Sequence, residues 1–242
     1  MDSRRVAYLK ALDVDVWQRR DLARPEPLGS AAPPSAPSRS ALSQSAPSQN
    51  AAPSSWAELE RAVKTCTLCP LHQTRTQGVF GVGNRNAQWM VIGEAPGADE
   101  DRQGEPFVGR AGQLLNSMLK AIGLAREQVF IANILKSRPP NNRDPRPEEV
   151  RACIPYLFRQ IELVDPKLIL CVGRIAAQTL LETDTPIGKL RGQLHRIAGN
   201  RPMIVTYHPA YLLRSPGEKR KSWSDLLLAM RTFDQVAGGA SM

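Results

Sequence analysis

VIGEAPGADEDRQGEPFVGRAG, residues 91–112, decides the fold. It begins as a strand: Trp89, Met90, Val91 and Ile92 form a short apolar run that stops at Gly93. Gly93, Pro96 and Gly97 break the strand and close a tight loop. Asp99, Glu100 and Asp101 follow, then one aromatic, Phe107, between Pro106 and Val108. Gly109 and Gly112 open a helix whose apolar positions Leu114, Leu115, Met118, Leu119 and Ile122 recur at helical spacing. Carboxylates, free backbone N–H groups and an aromatic face thus gather beyond the carboxyl end of a strand. That is where ligands bind in open α/β sheets.

Working outward, apolar runs predict further strands at 129–134, 167–172 and 203–206, with an edge strand at 193–197. Helical spacing predicts helices at 109–122, 147–163, 174–181 and 219–236. Another is predicted at 56–65, with Ser55 as its N-cap. The glycine-rich segment 78–84 reads as a connection into the first strand. The alternation predicts an α/β fold, a three-layer α/β/α arrangement around a mostly parallel four-stranded central sheet.

Upstream the composition changes. Residues 30–55 contain nine Ser, seven Ala and five Pro. Such a segment buries too little apolar surface to offset its ordering entropy, so 21–55 is read as a disordered linker. Before it, residues 1–20 form a short amphipathic helix with Val6, Leu9, Leu12 and Val16 on one face. This helix either docks back on the domain or seats in a protein partner's groove. Residues 56–242 make the folded domain.

The net charge is +9 over 242 residues, which suits a polyanionic partner or simply a soluble basic protein. No run has the length of a membrane helix, so no membrane association is expected. The start, MDSRRVAYLK, has no apolar signal core. Four cysteines including a CxxC point to metal or redox chemistry in a reducing cytoplasm rather than to a disulfide scaffold.

Four ordered motifs carry a family resemblance across residues 56–242. GEAPGADEDRQGEPFVGRAG (93–112) and HPAYLLRSP (208–216) resemble the first and second motifs of the family-4 uracil-DNA glycosylases, the iron–sulfur branch. Asn133 in NILKSRPP, together with Cys66 and Cys69, matches two more landmarks. The resemblance implies a uracil-DNA glycosylase-like fold, uracil-containing DNA as partner, and a monomer that starts base-excision repair.

It also implies roles. Asn133 reads the O4 and N3–H edge of uracil, unless it only caps its turn. Phe107 stacks on the flipped base, unless it is a core residue. His208 supports the leaving uracil at O2, an oxyanion-type role; of the other two histidines, His195 is read as only near the DNA. Gly93, Ala95 and Gly97 shape the substrate loop. The best-known uracil glycosylases carry an Asp where this chain has Ala95, so Glu94 is the expected water-positioning or cation-stabilising carboxylate. Glu100 is expected to close the pocket against the thymine methyl group, and two of the three acids 99–101 to be solvated.

For DNA, Leu212 is the expected wedge between base steps, unless its turn packs into the core, with Arg214 beside it on phosphate; Lys136 and Arg138 read as phosphate contacts or as a soluble loop. Arg143 and Arg146, on the same proline-rich loop, read as phosphate contacts or as a soluble loop. The family's [4Fe–4S] cluster takes four cysteines; Cys66, Cys69 and Cys153 match three, and Ser137 stands at the fourth. Cys171 reads as a buried, inert thiol. The outcomes left open are a serine-ligated cluster, a three-cysteine cluster, zinc with His72, or no metal. Two alternatives to uracil excision remain: a DNA-binding module with impaired catalysis, and a glycosylase for other deaminated bases.

Overall fold

The computed structural model describes residues 55–197 and 199–238. The expected N-terminal helix and the linker, up to residue 54, lie outside the described residues. In chain order the helices are α1 (Trp56–Lys64), α2 (Ala98–Gln103), α3 (Arg110–Ala121), α4 (Pro147–Val164), α5 (Arg174–Leu181), α6 (Ile187–Leu190), α7 (Pro209–Arg214) and α8 (Lys219–Gly238). The strands are β1 (Val82–Gly83), β2 (Trp89–Gly93), β3 (Phe130–Asn133), β4 (Leu168–Val172), β5 (Leu194–Ile197) and β6 (Arg201–Thr206).

One six-stranded sheet has the order β1-β3-β2-β4-β6-β5. Its four central strands pair in parallel, which is the expected parallel core. The sheet is wider than expected because β1 and β5 add antiparallel edges. Central strands β2 and β4 are buried at every position, as strands covered on both faces must be.

Side chains alternate across the sheet and build two cores. Met90, Ile92, Ile169, Cys171, Met203 and Val205 face α1, α4 and α5. Val91, Leu168, Leu170, Val172 and Ile204 face α3, α7 and α8. The described residues therefore form a three-layer sandwich, and their helices form for local reasons as well. Ser55 Oγ accepts from the Glu58 N–H while the Glu58 carboxylate accepts from the Ser55 N–H, a reciprocal cap on α1. Pro147 opens α4, where its missing N–H costs nothing. No helix among the described residues is long and apolar enough to cross a membrane.

The order of the strands decides where a ligand can enter. The chain leaves β2 through α3 on one face and reaches β3; it leaves β4 through α5 on the other face and reaches β6 by way of β5. Neighbouring strands β2 and β4 thus send their connections in opposite directions, opening a crevice at their carboxyl ends.

Candidate active site

A cleft of about 740 Å³ occupies that crevice, and its walls include Glu94, Glu100, Phe107, Asn133 and His208. The residues come from four different strand ends. Glu94 and Ala95 follow β2, Asn133 closes β3, Gly173 and Arg174 follow β4, and His208 follows β6. The sequence-expected base-reading groups therefore share one cavity.

Close approach of backbone fixes their spacing. A Cβ on Gly93 would fall 2.5 Å from Asn133 Oδ1 and 2.6 Å from Phe107 Cζ, so only glycine lets the amide and the ring meet across the end of β2. Gly173, at φ +106°, plays the same part behind His208, whose Cβ lies 3.2 Å from where its own Cβ would be. The Phe107 and His208 rings stand 5.6 Å apart at 30°.

Phe107 holds a left-handed backbone, φ +55°, which for a bulky aromatic costs on the order of 1–3 kcal/mol. Two groups hold it there. Arg126 donates to Pro106 O at 2.6 Å and Phe107 O at 3.1 Å. Glu100 accepts from the backbone N–H groups of Val108 (2.9 Å), Gly109 (3.1 Å) and Gly97 (3.1 Å). Glu100 was expected as a screen against the thymine methyl group; its carboxylate is spent on ordering the loop that carries the ring. Arg126 carries no sequence signal, because its partners are carbonyls about twenty residues away.

Of the neighbouring acids, Asp101 is buried and accepts from Thr76 N and Thr76 Oγ1. Only Asp99 behaves as a surface charge, pairing with Arg102. The expectation of two solvated acids is corrected by helical phase, which turns Asp101 inward.

Asn133 is 3% exposed, and among the described residues its Oδ1 has no hydrogen-bond partner. A buried amide oxygen without a donor costs about 1–3 kcal/mol. In a cleft, such an atom is an acceptor awaiting a ligand's N–H.

His208 Nδ1 accepts the Ala210 N–H at 3.1 Å. The ring proton of the neutral imidazole therefore sits on Nε2. Burial, helped by the Arg214 charge, lowers the imidazole to about 4, so it is neutral at pH 7. Glu94 moves the other way: burial, with Asp144 adding to it, raises its carboxyl to about 7. Asp144 in turn pairs with Arg174 at 2.8 Å.

The DNA-facing expectations divide. Arg214 is exposed and lines the cleft. Arg138 is half-buried, and its Nε donates to Asn142 Oδ1. Lys136 is a correction: it is 1% exposed and its ammonium donates to Asn133 O at 2.8 Å and Gln160 Oε1 at 2.6 Å, out of reach of any phosphate. Leu212 is another: it is 1% exposed in the core beneath α7, while Leu213 and Tyr211 turn outward. Arg143 forks onto Glu149, bracing the proline-rich loop.

The cysteine corner is less complete. Burial, with Cys69 and Cys66 near enough to add to it, pushes the Cys153 thiol up to about 11. Lys136 N–H points at Cys153 Sγ, 3.5 Å away, and Ser137 follows it in the chain. Ser137 Oγ accepts from Arg75 at 2.7 Å, and the same guanidinium reaches Lys64 O and Cys66 O at 2.9 Å each. Among the described residues, no three His, Cys, Asp or Glu side chains are grouped to hold a metal ion. Three thiols and a hydroxyl already engaged by a guanidinium do not make the four-thiolate set of a [4Fe–4S] cluster. His72 Nδ1 is hydrogen-bonded to Cys69 O at 2.7 Å.

An α/β/α sandwich with its cleft at the strand switch point is the architecture, and a family model described as "Uracil DNA glycosylase superfamily" matches residues 80–227. The chain belongs to the uracil-DNA glycosylase superfamily. Several of its curated relatives are named type-4 uracil-DNA glycosylases. The type-4 uracil-DNA glycosylase of Archaeoglobus fulgidus is 47% identical over 175 residues, covering 69% of this chain and 88% of that one. That of Pyrobaculum aerophilum is 44% identical over 178 residues, 71% and 91% of the two chains. That of Thermotoga maritima is 46% identical over 154 residues, 63% and 80%.

Proposed function

We propose that this protein excises uracil from DNA by hydrolysing the N-glycosidic bond of an extruded nucleotide, leaving an abasic site. The observation that carries the proposal is the buried, unpartnered Asn133 Oδ1 in a cleft shared with Phe107 and His208. Uracil brings an N3–H for that oxygen and an O4 for the amide N–H. Cytosine presents the opposite polarity on both atoms and would leave buried groups unpaired, which is how a polar pocket rejects an analogue.

The base must leave the duplex stack to enter the cleft. Phe107 offers its ring for stacking, worth about 1–3 kcal/mol per base. As C1′–N1 breaks, the bonding pair goes to uracil and cationic character is left on the sugar. The His208 Nε2–H donates to O2, where negative charge collects; a neutral donor serves without a proton transfer. Water attacks C1′, and Glu94 orients it and accepts its proton when ionised. Ala95 has no group to offer the water.

The [4Fe–4S] cluster implied by the resemblance does not fit the corner as a four-thiolate site, and no step of excision passes through it. Cys66, Cys69, Cys153 and Ser137 are assigned a structural role. We further place the protein as a monomer, and in a reducing cytoplasm, which suits its four free cysteines.

The test is direct. Single- and double-stranded oligonucleotides with one uracil are incubated with the protein, and abasic sites are cleaved with alkali. Strand scission at uracil, absent with thymine or cytosine, is the expected result. Binding without scission would mark a catalytically impaired DNA-binding module, and scission at hypoxanthine instead of uracil a different glycosylase.

A further inference from the structure

Beside the excision cleft lies a second, shallower groove of about 370 Å³, on the exposed side of α8. Its walls hold four cationic side chains, Arg191, Arg220, Lys221 and Arg231, against one carboxylate, Asp225. The carboxylate is already neutralised: Asp225 is fully buried and takes both Arg191 nitrogens at 3.0 and 2.8 Å. Lys221 pairs with Glu218 at 2.8 Å. Arg220 and Arg231 are exposed, and their guanidinium groups have no hydrogen bond or ion pair among the described residues. They are eleven positions apart on one helix, about 16 Å along its axis.

The groove is joined to the cleft. The Arg191 guanidinium lies over the Tyr207 ring at 5.4 Å, and Tyr207 stands 5.0 Å from Tyr211. Tyr207, Tyr211 and Arg214 also line the excision cleft. A cationic groove with aromatic rings leading into it is the arrangement that tracks a nucleic-acid strand, charges on the phosphates and rings against the bases.

We propose that this groove, with Arg220 and Arg231 as its free charges, is a second phosphodiester-binding site that holds the DNA backbone flanking the extruded nucleotide. The inference rests on the uracil-excision reading and extends it, because it makes affinity depend on the length of DNA beyond the cleft.

The experiment uses the full chain, R220E/R231E and the charge-preserving R220K/R231K. Substrates are uracil-bearing single strands of about 4 and about 20 nucleotides, within the range a single-strand groove covers. For R220E/R231E, KM on the long strand should rise at least about tenfold with kcat unchanged, and KM on the short strand should move less than about twofold. Binding of a uracil-free long strand should lose salt dependence, its log–log slope shrinking by about 1.4 for two phosphates released, and R220K/R231K should restore it. Equal KM changes at both lengths, or an unchanged slope, would overturn the proposal. If the unaltered protein released no uracil from either strand, the excision reading would fail instead, and the uracil-free binding series would still decide the groove.

Discussion

The cleft and the cysteine corner were expected from equally specific motifs, yet they are built differently. Each reading group in the cleft is fixed by something behind it. Gly93 admits Asn133 and Phe107, Glu100 and Arg126 pin the Phe107 loop, and the Ala210 N–H sets the His208 tautomer. The corner has three thiols but no fourth, and Ser137 stands in the remaining position with its hydroxyl engaged by Arg75. A site made by strand ends is supplied by the topology itself. A site that needs one side chain from each of several loops is broken by a single replacement.

Five experiments bear on this contrast. The largest effect is expected from Asn133→Ala and His208→Ala, each lowering the excision rate about 10²–10³-fold, the scale of a lost oxyanion donor, with cooperative thermal unfolding retained. Full activity in both would remove the cleft from the chemistry.

Next comes Glu100→Ala, which strands three backbone N–H groups. Excision should fall about tenfold through loss of ring placement, and hydrogen exchange at residues 107–109 should quicken. An unchanged exchange rate would show that Arg126 alone holds the loop.

The pH dependence is a third, smaller effect. Since Glu94 titrates near 7, kcat/KM should fall as pH drops through 7. His208, already neutral down to about 4, should add no limb above that. Glu94→Gln should flatten the profile. The raised carboxyl also means that stability attached to its neutral form is present below its ordinary value of 4.5 and is lost as pH rises through about 7. Glu94→Gln should therefore melt higher than the unaltered protein at pH 8, with the difference gone at pH 4.

The smallest effect on catalysis is expected at the corner. Arg75→Ala removes hydrogen bonds to Lys64 O, Cys66 O and Ser137 Oγ and should lower stability by about 1.5–3 kcal/mol while leaving excision per folded molecule intact. Ser137→Cys should raise iron and sulfide bound per chain after anaerobic purification. Unchanged metal content would separate Ser137 from the three thiols.

The central strands were legible in the sequence because buried parallel strands are continuous apolar runs, and the motifs ended where those runs ended. What escaped reading depended on partners far away in the chain. Two-residue β1 exists only through its pairing with β3. Lys136 looked like a loop cation until Gln160, on α4, supplied its acceptor. α7 is six residues long, too short for periodicity to say which of two adjacent leucines points inward. Asn133, Phe107 and His208 were found because motifs name them; Arg126 and Gly173 were not, since a carbonyl acceptor or a neighbouring ring leaves no trace in composition.

The left-handed Phe107 has a consequence for engineering. Glycine or asparagine at that position would relax the backbone by about 1–3 kcal/mol, but would remove a ring that is buried in the core beneath the cleft, a loss of about 3–5 kcal/mol, and would erase the platform for the base. Packing and turnover therefore pull the same way at position 107, and a screen for thermal tolerance alone would keep the ring despite its backbone.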